Sequence, residues 1–221
     1  MGKIANATNS LAIRSGTGSA KTRTVMNERE TETYLIIGLG NPGREHRLNR
    51  HNVGFMLLDL FAEDLDLTFT RQQAHALVTD EHFEGYKVIL AKPQTFMNDS
   101  GRSVGSLTRF YRIPPSNLLV AFDDIDLPLG TIRLLAAGGS AGHKGMRSIF
   151  DHLGTQEFPR LRIGVSRPPG RMDPADFVLL DFDSDELPVL KDSLNRAVQC
   201  LHLFLQQGIQ AAMNCCNTSP A

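Results

Sequence analysis

The chain has 221 residues, with 23 Lys plus Arg against 24 Asp plus Glu and an apolar fraction of 41%. That length and balance suit one globular domain and exclude a histone-like polybasic binder, though not a local basic site. No run approaches the roughly 18 apolar residues of a membrane span, and the three cysteines, Cys200, Cys215 and Cys216, are too few for a disulfide framework and fit a reducing compartment.

Residues 1–33 are rich in Thr, Ser, Ala, Asn and Gly and lack a sustained apolar period, so they read as a disordered extension. Lys3, Arg14, Lys21 and Arg23 are their only charges before Glu28. This acid-free, basic start fits either an inert upstream segment, with Met26 as a second start, or an organelle transit segment; a secretory signal lacks its apolar region.

The body begins with Tyr34–Gly38, a short apolar run that reads as a buried strand. A polar loop follows to Arg50. Asn52 is placed to cap a helix with Phe55, Leu58, Phe61, Ala62 and Leu65 on its apolar face. Two strands are expected at 74–79 and 86–91 with a turn at 82–85. A loop at 94–98 then leads to a helix through Val104, Leu107 and Tyr111. Leu118–Phe122 is an all-apolar strand delivering Asp123 and Asp124 at its C-terminal end, and 132–135 is a short strand. Gly138–Gly142 is a turn before a helix over about 143–153, 161–166 is a strand, and 168–174 is an exposed loop. A last helix over about 184–207 carries an apolar stripe from Leu187 to Leu205, and the residues from 209 on read as a flexible tail. Alternation of helices with apolar strands predicts a single α/β domain over 34–208, with a twisted, mostly parallel mixed sheet flanked by helices in three layers.

Four features carry possible chemistry. Gly38, Gly40 and Gly43 meet the spacing of a dinucleotide fingerprint, but Pro42 and the polar run to Arg50 separate them from the helix, so a nucleotide cofactor is not expected. His51, at the mouth of the first helix, reads as a general base or as a surface capping residue. Asp123, Asp124 and Asp126 lie where open sheets place sites; one of them can orient an imidazole, the cluster can hold magnesium, or it is a polar turn. Residues 101–171 carry nine Arg and Lys144 against five acids, which suits a phosphate or nucleic-acid surface if the cations converge, and scattered solvated charge if not.

The ordered set Ile37-Gly-Leu-Gly-Asn-Pro-Gly43, Arg50-His-Asn-Val-Gly54, Lys92-Pro-Gln-Thr-Phe-Met-Asn98, Asp123-Asp-Ile-Asp-Leu-Pro128, Gly139-Ser-Ala-Gly-His-Lys-Gly145 and Arg160-Leu-Arg-Ile-Gly164 resembles the bacterial-type peptidyl-tRNA hydrolase family. The resemblance spans roughly 34–208. It implies a monomeric cytoplasmic enzyme (an organellar one if residues 1–33 are a transit segment). That enzyme cleaves the ester between peptide and tRNA without a metal, an organic cofactor or an obligate protein partner. It implies His51 as general base, Asp123 as its orienting carboxylate, Asn41 and Asn98 as holders of substrate and water, and Met97 as an apolar wall. Arg133 and Arg162 stand where tRNA phosphate is gripped. The chain differs from many members at three positions: Lys144 replaces a substrate-contacting Asn, His46 a common Tyr, and Leu135 a second basic residue. A relative in chloroplasts that serves intron splicing gives the rival expectation, an RNA-binding protein without turnover.

Overall fold

The computed structural model describes residues 32–218. Of the predicted extension, residues 1–31 lie outside the described residues, as do 219–221 at the other end.

The first strand, β1 (Thr33–Gly38), sits at the centre of a seven-stranded sheet with β2 (Arg71–Gln73), β3 (Ala76–Phe83), β4 (Tyr86–Pro93), β5 (Leu118–Asp124), β6 (Ile132–Leu135) and β7 (Arg160–Gly164). The strand order is β2-β3-β4-β1-β5-β7-β6. The β4-β1-β5-β7 centre is parallel, and antiparallel pairs finish both sides. The sheet is therefore mixed, with a parallel middle as the apolar runs of β1 and β5 require: a strand covered on both faces needs apolar residues at every position.

Strand alternation sorts those residues into two cores. Ile36, Leu119 and Ala121 face α1 (Val53–Asp64) and the long C-terminal helix. Leu35, Ile37, Leu118, Val120 and Phe122 face α2 (Ser100–Tyr111) and α3 (Lys144–Leu153). A short helix, α4 (Pro174–Phe177), and α5 (Leu187–Cys216) complete the chain.

Several boundaries differ from the sequence expectation. The β2–β3 hairpin was not expected, because its turn uses Ala74 and His75 at φ 49° and 58° rather than a Gly or Asn. Helix α4 falls at the end of the stretch read as an exposed loop. The expected flexible tail from 209 is corrected: Gly208 breaks the helix at φ 79°, but the chain resumes helical geometry to Cys216, burying Ala212 and Cys216. Cys200 and Cys216 form a disulfide that the sequence did not reveal, leaving Cys215 free. Asn217 then bonds both the N–H and the C=O of Leu134 on β6, at 2.8 and 2.9 Å.

Candidate active site

The site begins with two glycines. A Cβ at Gly54 would stand 2.5 Å from the Ala121 carbonyl oxygen, and one at Gly38 only 2.2 Å from that of Gly54. Only without those side chains can the first turn of α1 rest on the backbones of β1 and β5. That close approach brings the preceding 3-10 turn, Arg50–Asn52, to the C-terminal end of β5. Alternation along β5 then decides which acid meets it. Asp123 is in step with Leu119 and Ala121, on the α1 face, and its Oδ1 lies 2.8 Å from His51 Nδ1. Asp124 faces the other way and pairs with Arg162.

A second imidazole, which the sequence reading left without a role, reaches the same carboxylate. His143 caps α3: its Nδ1 accepts the Met146 N–H at 3.2 Å. Its proton therefore sits on Nε2, which donates to Asp123 Oδ1 at 3.0 Å. Asp123 is 3% exposed, and burial alone would raise its pKa; the two imidazoles overcome this and hold the carboxyl well below the usual carboxylate range. An acceptor-only carboxylate fixes the His51 proton on Nδ1 and leaves its Nε2 lone pair free. The facing atoms of His51, Asp123 and His143 lie within 4.8 Å of one another, a spacing that admits a metal ion. Such an ion would force the His143 proton onto Nδ1, against the Met146 N–H, so the donor set fits a hydrogen-bonded relay better than a ligand set.

Asn41 is held from two sides. Asn52 was expected to cap α1; its side chain instead accepts from the Asn41 N–H at 2.8 Å and donates to the Asn41 carbonyl at 2.9 Å. Asn41 Oδ1 accepts the Met97 N–H at 2.9 Å. The carboxamide oxygen is thus engaged, and its NH₂ has no bond among the described residues. Met97 is 5% exposed and packs so closely on α3 that a Cβ at Gly145 would meet its Sδ at 2.6 Å.

These groups line a cavity of about 860 Å³. Its floor holds His51, Asp123 and Met97. Phe96, Asn98 and Lys144 stand at its rim, all exposed, and α4 with its flanking residues supplies another wall through Asp173, Asp176, Val178 and Leu179. A larger cavity of about 1170 Å³ lies beyond Asn41, between the loop at 41–48, α1 and α5. Neither His51 nor Asp123 lines it, whereas both line the smaller one.

The structure thus brings together His51, Asp123, Asn41, Met97, Asn98 and Lys144. It does not bring His46 into that cavity: this side chain bonds Asn49 Oδ1 at 3.0 Å instead. Arg133 and Arg162 are register partners on β6 and β7. Arg133 is exposed with no ion pair among the described residues, while Arg162 is tied to Asp124. His143, Asn52 and Phe96 were missed; the one available signal was that His143 directly precedes a helix after a glycine turn.

Residues 35–221 match the family model described as peptidyl-tRNA hydrolase. The peptidyl-tRNA hydrolase of Chloroflexus aurantiacus is 47% identical over 182 residues, covering 82% of this chain and 97% of that one. A protein of Arabidopsis thaliana named as the chloroplastic peptidyl-tRNA hydrolase is 45% identical, over 84% of this chain and 65% of its own length. The crystal structure of peptidyl-tRNA hydrolase from Acinetobacter baumannii superposes with a TM-score of 0.80 at 36% identity, over 84% of this chain and 95% of that chain.

Proposed function

The chain belongs to the peptidyl-tRNA hydrolase family and hydrolyses the ester joining a peptide to tRNA, and from that premise we propose that His51 and Asp123 activate the attacking water. The observation that carries this reading is the 2.8 Å bond from His51 Nδ1 to a buried, ionised Asp123, which leaves the Nε2 lone pair free on a side chain that lines the cavity. His51 Nε2 removes a proton from water as its oxygen adds to the acyl carbon. The Asn41 NH₂, unused by the fold, donates to the developing oxyanion, with Asn98 at the rim to hold the peptide backbone. Collapse breaks the bond to the ribose oxygen, which takes the proton back from His51. The products are free tRNA and a peptide acid, which releases its remaining proton to solvent to leave as the carboxylate. Asp123 keeps the imidazole in the required tautomer throughout.

Met97 gives the pocket an adaptable apolar wall, so peptide sequence is expected to matter little. Free aminoacyl-tRNA is expected to be a poorer substrate than the N-acetylated form, since it lacks the peptide bond that Asn98 would hold. We assign tRNA phosphate contact to Arg133 and Arg162 and place Lys144 at the acceptor end. We read the enzyme as a monomer without an obligate protein partner. No helix among the described residues is long and apolar enough to cross a membrane. We assign the enzyme to the cytoplasm. The alternative is an organelle, for which the acid-free basic start and the plant relatives named chloroplastic and mitochondrial speak.

The test is single-turnover release of an N-acetylated amino acid from tRNA, read beside tRNA binding in the same samples. His51→Ala is expected to lose about 10²- to 10⁴-fold in rate with affinity retained. A variant as fast as the wild type would overturn the assignment of the base.

A further inference from the structure

We infer that Arg50 is a positioning residue for this reaction: its buried guanidinium ties the α4 wall of the catalytic cavity to the backbone carrying His51, so that base and wall are set as one unit. The inference rests on His51 being the base.

Arg50 is 3% exposed, an unusual place for a charge next to the catalytic residue. Among the described residues, every polar partner of its side chain lies in one segment following α4. Nη1 donates to the carbonyls of Leu180 and Asp181, and Nη2 pairs with Glu186. The guanidinium carbon stands 4.4 Å from the Phe177 ring centre and 5.0 Å from that of Phe182. The backbone repeats the attachment. Arg50 N–H donates to Leu180 O at 3.0 Å, and His51 N–H donates to Val178 O at 2.8 Å. Asn49 Nδ2 reaches Asp181 Oδ1 at 2.8 Å. Val178, whose carbonyl holds the catalytic backbone, also lines the cavity that His51 faces.

Helix α4 has four residues, one turn, which does not hold its own shape without tertiary support. The carbonyls of Leu180 and Asp181, in the turn after it, need donors, and a planar guanidinium between two rings serves both at fixed angles. A buried ion pair is a poor way to gain stability, because an apolar replacement often does as well. Direction is what the guanidinium adds. An ammonium in its place keeps the charge but supplies neither the fork nor the flat face. The tRNA-binding cations lie on other elements, β6, β7 and α3, so losing this brace should slow the chemical step and spare affinity. Misplacing a catalytic group by about 1 Å costs on the order of 10²-fold in rate.

The experiment measures single-turnover release from N-acetylated aminoacyl-tRNA, tRNA affinity and thermal unfolding for the full chain and its Arg50→Lys, Phe182→Leu and Glu186→Gln variants. Arg50→Lys is expected to release at about one-tenth of the wild-type rate or less, with affinity within about twofold and a cooperative unfolding transition. Phe182→Leu and Glu186→Gln keep Arg50 and loosen its socket; each is expected to lose about two- to fivefold in rate, and they decide the matter if Arg50→Lys does not fold. Rates within twofold of the wild type in every folded variant overturn the inference, as does a loss confined to affinity. His51→Ala runs beside them: if it alone is slow, the brace fails and the base stands, whereas wild-type speed in His51→Ala removes the base itself.

Discussion

Asp123 and Asp124 are consecutive acids on one strand, and the pleat sends one to two imidazoles and the other to Arg162. Exchanging their carboxylates for amides should therefore give opposite results. Asp123→Asn is expected to cut turnover by about 10⁴-fold at most, the scale known from a protease triad, with tRNA affinity unchanged. Asp124→Asn should leave the His51 tautomer alone and act on Arg162. The low pKa of Asp123 also has a sign in stability. A carboxyl depressed in the folded state contributes fully above its ordinary value of 3.8, and the contribution fades as pH falls toward the lower folded value. The stability difference between wild type and Asp123→Asn should stay constant above about pH 5 and shrink below about pH 4, which acid unfolding curves at stepped pH will show. Tyr34 behaves in reverse: burial, then Glu32 and Tyr86, push its phenol up to about 12, so its contribution is present below its ordinary value of 10.0 and is lost as pH rises through about 12. Ultraviolet titration of the phenolate checks this. At this scale the position of Asp123 at the end of β5 was legible because an apolar strand end is a recognisable address. His143 was illegible because its role depends on which ring nitrogen a helix N–H already occupies.

Among the elements, β1, β5 and the helix stripes were readable as long apolar or periodic runs. The misses each have a local cause. Ala74 and His75 make a left-handed turn with residues that do not announce one. Pro174 opens α4 at the first helical position, where proline is tolerated, inside a stretch otherwise typical of a loop. Gly208 looks like a helix terminator, yet Ala212 and Cys216 return to the core after it. Removing residues 208–221 should consequently cost roughly 2 kcal/mol or more and lower the melting midpoint by about 4 °C or more, measured by calorimetry. His143→Ala tests α3 from its other end. It removes a helix cap, with an expected cost of about 1 kcal/mol, and also a donor to Asp123, so stability and turnover should fall together.

Over the whole molecule, the local excess of arginine at 101–171 was visible in the sequence, but its distribution was not. Arg160 is spent on the carbonyls of Gly138, Gly139, Gln156 and Phe158, Arg162 is paired with Asp124 but part-exposed, and Arg133 is exposed. Arg133→Ala should weaken tRNA binding regardless of tRNA sequence and reduce the salt slope by about one unit or less, as titrations at several salt concentrations will report. The cysteines make a further whole-chain prediction. Thiol titration without reductant should find one reactive group, Cys215, and three after reduction and unfolding. The pairing was unreadable because Cys200 and Cys216 are brought together only by the bend at Gly208.

The carboxamide of Asn217 binds Leu134 as a neighbouring strand would, through one donor and one acceptor. It is, in effect, a strand one residue long, laid along the outermost member of the sheet. A sheet margin with free amides and carbonyls invites extended segments from other molecules to add on. Asn217 closes that invitation on one side; on the other, β2 is only three residues long, with Arg71 engaged by Asp80. Protein clipped ahead of Asn217 during storage would keep its catalytic groups while exposing the β6 margin. Its first fault would then be cloudiness at high concentration rather than a lost reaction.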